Sequence, residues 1–243
     1  PCDLVALSGL IEALRSQKSA TEIEKIKASC RLAKAGFEHV LKLARPGLGE
    51  QELALELDYY MRKNGASQAS FETIVASGTR SALPHGVASN KKLASGDLVT
   101  LDYGYFLDYY TSDVTRTFAL GKVDPKLEEI YHIVAEAKQL TIEAVRPGIT
   151  GKELDQIGRD YIAQKGYAKY FEHGMGHGIG PNVHEGPYIG KTSTEALQPG
   201  QVITIEPGIY LPDLGGVRLE DDILVTETGY ENLTDFYQEY YEI

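Results

Sequence analysis

The chain has 243 residues, with 24 Lys and Arg against 35 Asp and Glu, a net charge of −11, and 42% hydrophobic residues. This fits a globular protein with a sizeable core and excludes a mini-protein that needs covalent staples. The acidic balance argues against nucleic acid as a partner, because phosphate binding needs clustered Lys and Arg. No apolar run approaches the roughly 18 residues of a membrane span, and two cysteines, Cys2 and Cys30, make no disulfide framework, so a reducing, cytoplasmic compartment is expected.

In chain order, residues 1–17 read as an N-terminal segment or linker remnant. Pro1 to Leu14 is apolar without the basic leader of a secretory signal, and the start at Pro1 rather than Met is expected of a processed chain or a fragment. Thr21 and Glu24 make a predicted capping box for an amphipathic helix with the stripe Ile23, Ile26, Cys30, Ala33, Phe37, Val40 and Ala44. Arg45-Pro46-Gly47 breaks it. A second helix carries Leu53, Leu57 and Met61 and stops at Gly65. Leu98–Tyr103 and Thr111–Phe118 read as strands joined by a short loop.

The plan then repeats. Asp124-Pro125 caps a helix with the stripe Leu127, Ile130, Val134, Ala137, Leu140 and Ala144, which ends at Arg146-Pro147-Gly148. Thr150 and Glu153 form a capping box for a helix bearing Leu154, Ile157 and Tyr161, which stops at Gly166. Val202–Glu206 and Val217–Thr226 read as strands. Two segment pairs support a duplication: A-R-P-G-L-G-E-Q-E-L (Ala44–Leu53) matches V-R-P-G-I-T-G-K-E-L (Val145–Leu154) at an offset of 101, and S-G-D-L-V-T-L-D-Y-G (Ser95–Gly104) matches P-G-Q-V-I-T-I-E-P-G (Pro199–Gly208) at an offset of 104. The expected fold class is α+β, with pseudo-symmetric helix–helix–strand halves of about 20–120 and 124–235 in one domain spanning 18–243.

The chemistry is expected where acids interrupt apolar strands. Asp102 in V-T-L-D-Y-G and Glu206 in I-T-I-E-P-G occupy equivalent places in the two halves. Asp113 and Glu220 follow on the returning strands. A carboxylate in a core strand is costly unless it is paired or holds a cation, and four together call for divalent cations. Asp221 and Asp222 read as a solvated edge, one of them free to pair. His39 and His132, on the long helices, read as ordinary helix histidines. His173, His177 and His184 cluster in H-G-M-G-H-G-I-G-P-N-V-H-E, where glycines allow close backbone approach. One imidazole added to four carboxylates is a mixed oxygen and nitrogen set suited to Mn, Fe or Co, with Zn accepted, and unlike a sulfur-rich structural zinc site. The other histidines would serve as proton or hydrogen-bond donors. G-P-Y-I-G-K-T (Gly186–Thr192) has one residue too few between its glycines for a phosphate loop, H-E-G-P-Y lacks the second His of a zinc-protease helix, and no G-x-S-x-G elbow occurs.

The segments L-P-H-G (Leu83–Gly86), L-D-Y-G (Leu101–Gly104), T-S-D-V-T-R-T-F (Thr111–Phe118), H-G-M-G-H-G-I-G (His173–Gly180), V-H-E-G-P (Val183–Pro187), T-I-E-P-G-I-Y (Thr204–Tyr210) and G-V-R-L-E-D (Gly216–Asp221) give the chain its resemblance to the pita-bread metallopeptidases, from about Lys18 to Thr234. That group contains methionyl aminopeptidases and Xaa-Pro peptidases. The resemblance implies a curved antiparallel sheet and two divalent metal ions, Mn first, with Co, Fe or Zn as alternatives. Asp102 would bind one ion, Asp113 and Glu220 would bridge both, and His177 and Glu206 would bind the other. The full ligand set separates the chain from creatinase-like relatives. His173 and Arg218 favour the Xaa-Pro branch (aminopeptidase P or prolidase), because methionyl aminopeptidases generally lack both.

The expected activity is hydrolysis of the bond between an N-terminal residue and proline by a metal-bridged hydroxide, on a small peptide with proline in second position. The resemblance further implies that Glu206 receives a proton, that His173 and His184 donate to the developing oxyanion, and that His85 contacts substrate near the leaving proline. Tyr210 and Arg218 would stand behind the ligands, Arg218 orienting a ligand carboxylate. A homodimer is expected. Xaa-Pro peptidases usually carry an N-terminal domain, which this chain is expected to lack. The rival readings are a methionyl aminopeptidase and a non-catalytic pita-bread module that binds a peptide or protein.

Overall fold

The structure, a computed structural model, describes residues 8–243; what the sequence suggests for Pro1–Leu7 lies outside them. The first half runs α1 (Leu10–Ser16), α2 (Ala20–Leu43), α3 (Glu50–Lys63), β1 (Gln68–Ala69), β2 (Ile74–Ser77), a 3₁₀ turn at Gly78–Ala82, β3 (Leu98–Tyr103), β4 (Tyr105–Leu107), β5 (Tyr110–Thr111) and β6 (Val114–Ala119). The second half runs α4 (Pro125–Glu143), α5 (Gly151–Gln164), a 3₁₀ turn at Ala168–Tyr170, β7 (Gly176–Gly178), β8 (Glu185–Ile189), β9 (Val202–Ile205), β10 (Gly208–Leu211), β11 (Gly215–Arg218), β12 (Asp221–Val225) and β13 (Tyr230–Asn232).

The helix signals act as expected at three of the four long helices. Asp124 and Thr150 cap α4 and α5 with their side chains, and Gly65 and Gly166 turn the chain at φ 106° and 89°. The cap of α2 differs from expectation. Ser19 with Glu22, not Thr21 with Glu24, forms the capping box, which adds part of a turn to the helix. Two strands are also shorter than predicted. The stretch Thr111–Phe118 splits because β4 and β5 form an inserted hairpin, turned at Asp108 and Tyr109 with φ of 49° and 71°. The stretch Val217–Thr226 splits at Leu219 and Glu220, and its first part pairs with β10 instead.

Both halves close around antiparallel pairs. β3 lies between β2 and β6, and β9 lies between β7 and β12 in the order β13-β12-β9-β7-β8. The turns before α3 and α5 are bonded alike. Gly47 N–H donates to Leu93 and Gly148 N–H to Leu197, while Glu50 N–H donates to Lys91 and Gly151 N–H to Glu195. Each half has its own apolar core. Phe37, Leu53, Leu57 and Met61 pack on Val99, Leu101 and Phe118; Ile130, Val134, Leu154 and Ile162 pack on Ile203, Ile205 and Ile223. The halves join where β11 lies against β3 and β6. There Thr117 Oγ1 donates to the Arg218 carbonyl at 2.8 Å, and Glu220 N–H donates to Thr115 at 3.1 Å.

Candidate metal centre and active site

All five expected ligands come from strands or their ends at this seam. Asp102 is the penultimate residue of β3, and Asp113 directly precedes β6. His177 is the middle residue of β7, Glu206 directly follows β9, and Glu220 lies in the break between β11 and β12. The glycines around His177 are obligatory. A Cβ at Gly176 would sit 1.9 Å from the Thr204 carbonyl oxygen, and one at Gly178 would sit 2.4 Å from that of Gly186. Only glycine lets β7 lie this close to its neighbours and still present His177 between them.

The ligand atoms converge. Those of Asp102, Asp113 and Glu220 fall within 4.8 Å of one another, as do those of His177, Glu206 and Glu220, and those of Asp113, His177 and His184. His184 therefore reaches the cluster as well, with its ring 4.3 Å from that of His177.

Electrostatics show what such a cluster needs. Burial, followed by repulsion from neighbouring carboxylates, pushes Asp113 and Glu220 well above the usual carboxylate range. Burial likewise pushes Glu206 up to about 7, against the opposing pull of Arg218. His177 Nε2 lies 3.6 Å from Asp113 and 3.5 Å from Glu206, but burial lowers the ring to about 4, so at neutral pH these contacts are not ion pairs. Its Nδ1 faces the Gly178 carbonyl at 3.0 Å. That oxygen only accepts, so Nδ1 carries the proton and the Nε2 lone pair points at carboxylate oxygens. Asp102 Oδ1 is buried without a partner. Lone pairs aimed at lone pairs, and an orphaned buried oxygen, fit divalent cations held by this mixed oxygen and nitrogen donor set.

The residues expected behind the ligands are in place. Arg218 donates to Asp102 Oδ2 at 2.6 Å, to the Tyr210 hydroxyl at 2.9 Å and to the Pro84 carbonyl at 3.0 Å. His173 differs from expectation. One ring nitrogen meets Tyr210 Oη at 2.8 Å and the other the Gly174 carbonyl at 2.8 Å, so both are engaged within the protein. His85 and His184 are exposed at the rim of a 420 Å³ cavity, walled also by Phe71, Val87 and Tyr188, with the five expected ligands at its floor.

Asp221 and Asp222 are the clear correction. Both are 0% exposed rather than a solvated edge. Asp221 pairs with Arg116 at 2.7 Å and Lys138 at 2.5 Å, and these cations outweigh burial to hold its pKa low. Asp222 accepts the Asp113 N–H at 3.1 Å. Sequence reading missed other supports. Thr115 donates to Glu220 at 2.7 Å, Thr204 Oγ1 lies 3.4 Å from Glu206, and Arg159, paired with Asp155, holds the Phe171 and His173 carbonyls at 3.0 and 2.8 Å. A signal existed for the two threonines: each lies two residues from a ligand, on the same side of its strand.

Comparison with known proteins agrees with this geometry. Residues 24–227 match the description "Metallopeptidase family M24". The chain belongs to that family. It is 49% identical over 232 residues to uncharacterized peptidase YqhT of Bacillus subtilis, covering 96% of this chain and 66% of the relative. It is 47% identical over 228 residues to the Xaa-Pro dipeptidase of Pyrococcus furiosus, covering 94% and 66%. The solved Xaa-Pro dipeptidase from Bacillus anthracis superposes with a TM-score of 0.96 at 50% identity, covering 98% of this chain and 67% of that one. The M24 chain thus has the pita-bread fold and spans about two thirds of the length of these curated relatives. Among the described residues, no helix is long and apolar enough to cross a membrane.

Proposed function

We propose that this M24 chain is a dinuclear metal-dependent Xaa-Pro peptidase, which hydrolyses the bond between an N-terminal residue and proline in small peptides. The observation that carries this reading is the convergence of Asp102, Asp113, His177, Glu206 and Glu220 at the floor of the cavity. Likeness to two Xaa-Pro dipeptidases supports the substrate class. When bound, a cation pair supplies Lewis acidity toward the scissile carbonyl and lowers the pKa of water. The donor set supports Mn first.

The chain's own residues do the rest. Asp102 would hold one ion, His177 and Glu206 the other, and Asp113 and Glu220 both. Glu206, partly open to the cavity, receives the proton released as water attacks. His184, its ring 4.3 Å from that of His177, donates to the oxygen that gains charge. His173 acts with Tyr210, to which it is hydrogen-bonded. Arg218 fixes Asp102 and Tyr210. His85 contacts the proline end of the substrate from the rim. A proline amide offers no N–H, so recognition rests on shape and on the carbonyl. The same reading includes a homodimer and, from the free buried thiol of Cys30, a cytoplasmic setting.

The deciding experiment combines metal analysis with a hydrolysis panel of Ala-Pro, longer Xaa-Pro peptides and Met-Ala-Ser, with each metal added back. About two ions per chain and cleavage confined to Xaa-Pro peptides are expected. Cleavage of Met-Ala-Ser alone would move the chain to the methionyl aminopeptidases, and failure to bind metal would leave a binding module.

A further inference from the structure

Glu50 opens α3, has 0% exposure and lies outside the ligand set. Its carboxylate is saturated with donors. Oε1 accepts from Ser77 N–H and Ser77 Oγ, both at 2.8 Å. Oε2 accepts from Ser89 N–H at 3.1 Å, from Ser89 Oγ at 2.6 Å and from Arg80. Arg80 in turn donates to the Val87 carbonyl at 2.8 Å and to that of Val75 at 3.3 Å.

Ser77 ends β2, and Ser89 lies twelve residues later in the chain. Between them runs the loop that carries His85. Beyond the 3₁₀ turn at Gly78–Ala82 its only regular pairing is a single antiparallel bridge of Val87 with Ile74, next to which Ala88 N–H donates to the Thr73 carbonyl at 3.4 Å; its other backbone bonds are local: Leu83 to Arg80, Gly86 to Leu83, and Val87 to His85. One bridge at its far end leaves Leu83–Gly86, the stretch around His85, with no ladder to set its shape. One carboxylate ties both of its ends, and the arginine bound to it ties the carbonyl two residues after His85. From the other side, Arg218 holds the Pro84 carbonyl, one residue before His85. Buried charge is poor value for stability alone, since an apolar pair of similar volume often does as well. Here it supplies direction: a planar acceptor with four lone-pair sites fixes donors from three places in the chain, Ser77, Arg80 and Ser89, at once.

We propose that Glu50, through Arg80, Ser77 and Ser89, is a positioning residue for His85, setting where that imidazole stands at the rim of the cavity. The inference rests on the Xaa-Pro peptidase reading for its kinetic consequence and on geometry alone for its structural one.

The test uses Glu50→Gln, His85→Ala and the double variant, with Mn added and an Xaa-Pro peptide as substrate. Loss of an outer supporting partner typically costs about 10–100-fold. We expect Glu50→Gln to lower kcat/KM by about that factor, with Mn affinity by calorimetric titration unchanged. The double variant should be no worse than His85→Ala. In the metal-free protein the His85 Hε1 resonance, identified by its loss in His85→Ala, should shift or broaden in Glu50→Gln. Ser89→Ala, which leaves the buried charge paired with Arg80, should give a smaller change of the same kind, and serves if Glu50→Gln does not fold. Multiplicative losses in the double variant, or an unmoved His85 resonance in a folded variant, would overturn the proposal. Absence of Xaa-Pro hydrolysis by the unaltered chain would sink the functional reading, while the resonance would still decide the role of Glu50.

Discussion

The two halves use the same helix pair, the same Arg-Pro-Gly turn and the same central strand ending in a carboxylate that faces the cavity, yet they support their histidines by different means. After the first turn stands Glu50, and at the same offset after the second stands Gly151. Glu50 ties down the His85 loop with hydrogen bonds. Gly151 has no room for a side chain, because a Cβ there would lie 2.2 Å from the Tyr188 carbonyl oxygen, in the segment that β8 holds against β7. In that half the task passes to Arg159, two turns further along α5 and paired with Asp155, which donates to the carbonyls of Phe171 and His173. The duplicated scaffold keeps the strand ends that carry the proposed ligands. The supports diverge because the loops they hold have different lengths and partners.

The equivalence of Asp102 and Glu206 is the part of this comparison most easily broken. Replacing Glu206 or His177 with Ala should abolish both metal binding and turnover, and Asp102→Ala should match it from the other half. Each loss should exceed the roughly 100-fold ceiling for supporting residues. Metal titration and peptide hydrolysis measure it, and a variant that keeps metal-dependent Xaa-Pro cleavage would remove the assignment.

Proton competition comes next in size. Glu206 titrates near 7 in the folded chain against 4.5 for an ordinary glutamate. In the metal-free protein the penalty for its charge is absent below about 4.5, grows as pH rises, and is complete above about 7. Cation affinity should therefore fall by about tenfold per pH unit, per proton displaced, as pH drops below 7. Thermal stabilisation by Mn should be larger at pH 8 than at pH 5. Equal stabilisation at both would show that Glu206 does not bind the ion.

The interlocked halves can be tested without metal. Asp221, from the second half, neutralises Arg116 from the first and Lys138 from α4. Asp221→Ala should cost about 3–5 kcal/mol in denaturant unfolding, because two buried cations lose their partner. A cost under 1 kcal/mol would place those cations in water. The smallest expected effect separates the two post-turn positions. Gly151→Ala should destabilise by about 1–3 kcal/mol through overpacking against Tyr188. A neutral result would mean that β8 yields readily and that the halves differ less than their geometry indicates.

Much of this molecule was written locally. The helix stripes, the caps at Asp124 and Thr150 and the stops at Gly65 and Gly166 depend on neighbours within a few residues, and the repeated Arg-Pro-Gly and Asp/Glu-x-Gly segments exposed the duplication. The cap at Ser19 was misplaced because two Ser/Thr-x-x-Glu patterns overlap, and only the approach of the preceding chain selects between them. The acids of the proposed metal centre stand out because an acid in an apolar strand has a high cost that sequence alone makes visible.

What the sequence could not decide is whatever depends on a partner far along the chain. Asp221 looks like a surface acid until Arg116 and Lys138 arrive from 105 and 83 residues away, and Asp222 until the Asp113 N–H reaches it from 109 residues away. Glu50 looks like an ordinary first-turn glutamate until the fold wraps Ser77 and Ser89 around it. Residue type and spacing determined which groups can bind a cation. Tertiary packing alone decided which charges lose water, and a buried charge takes its role from the donors that replace that water.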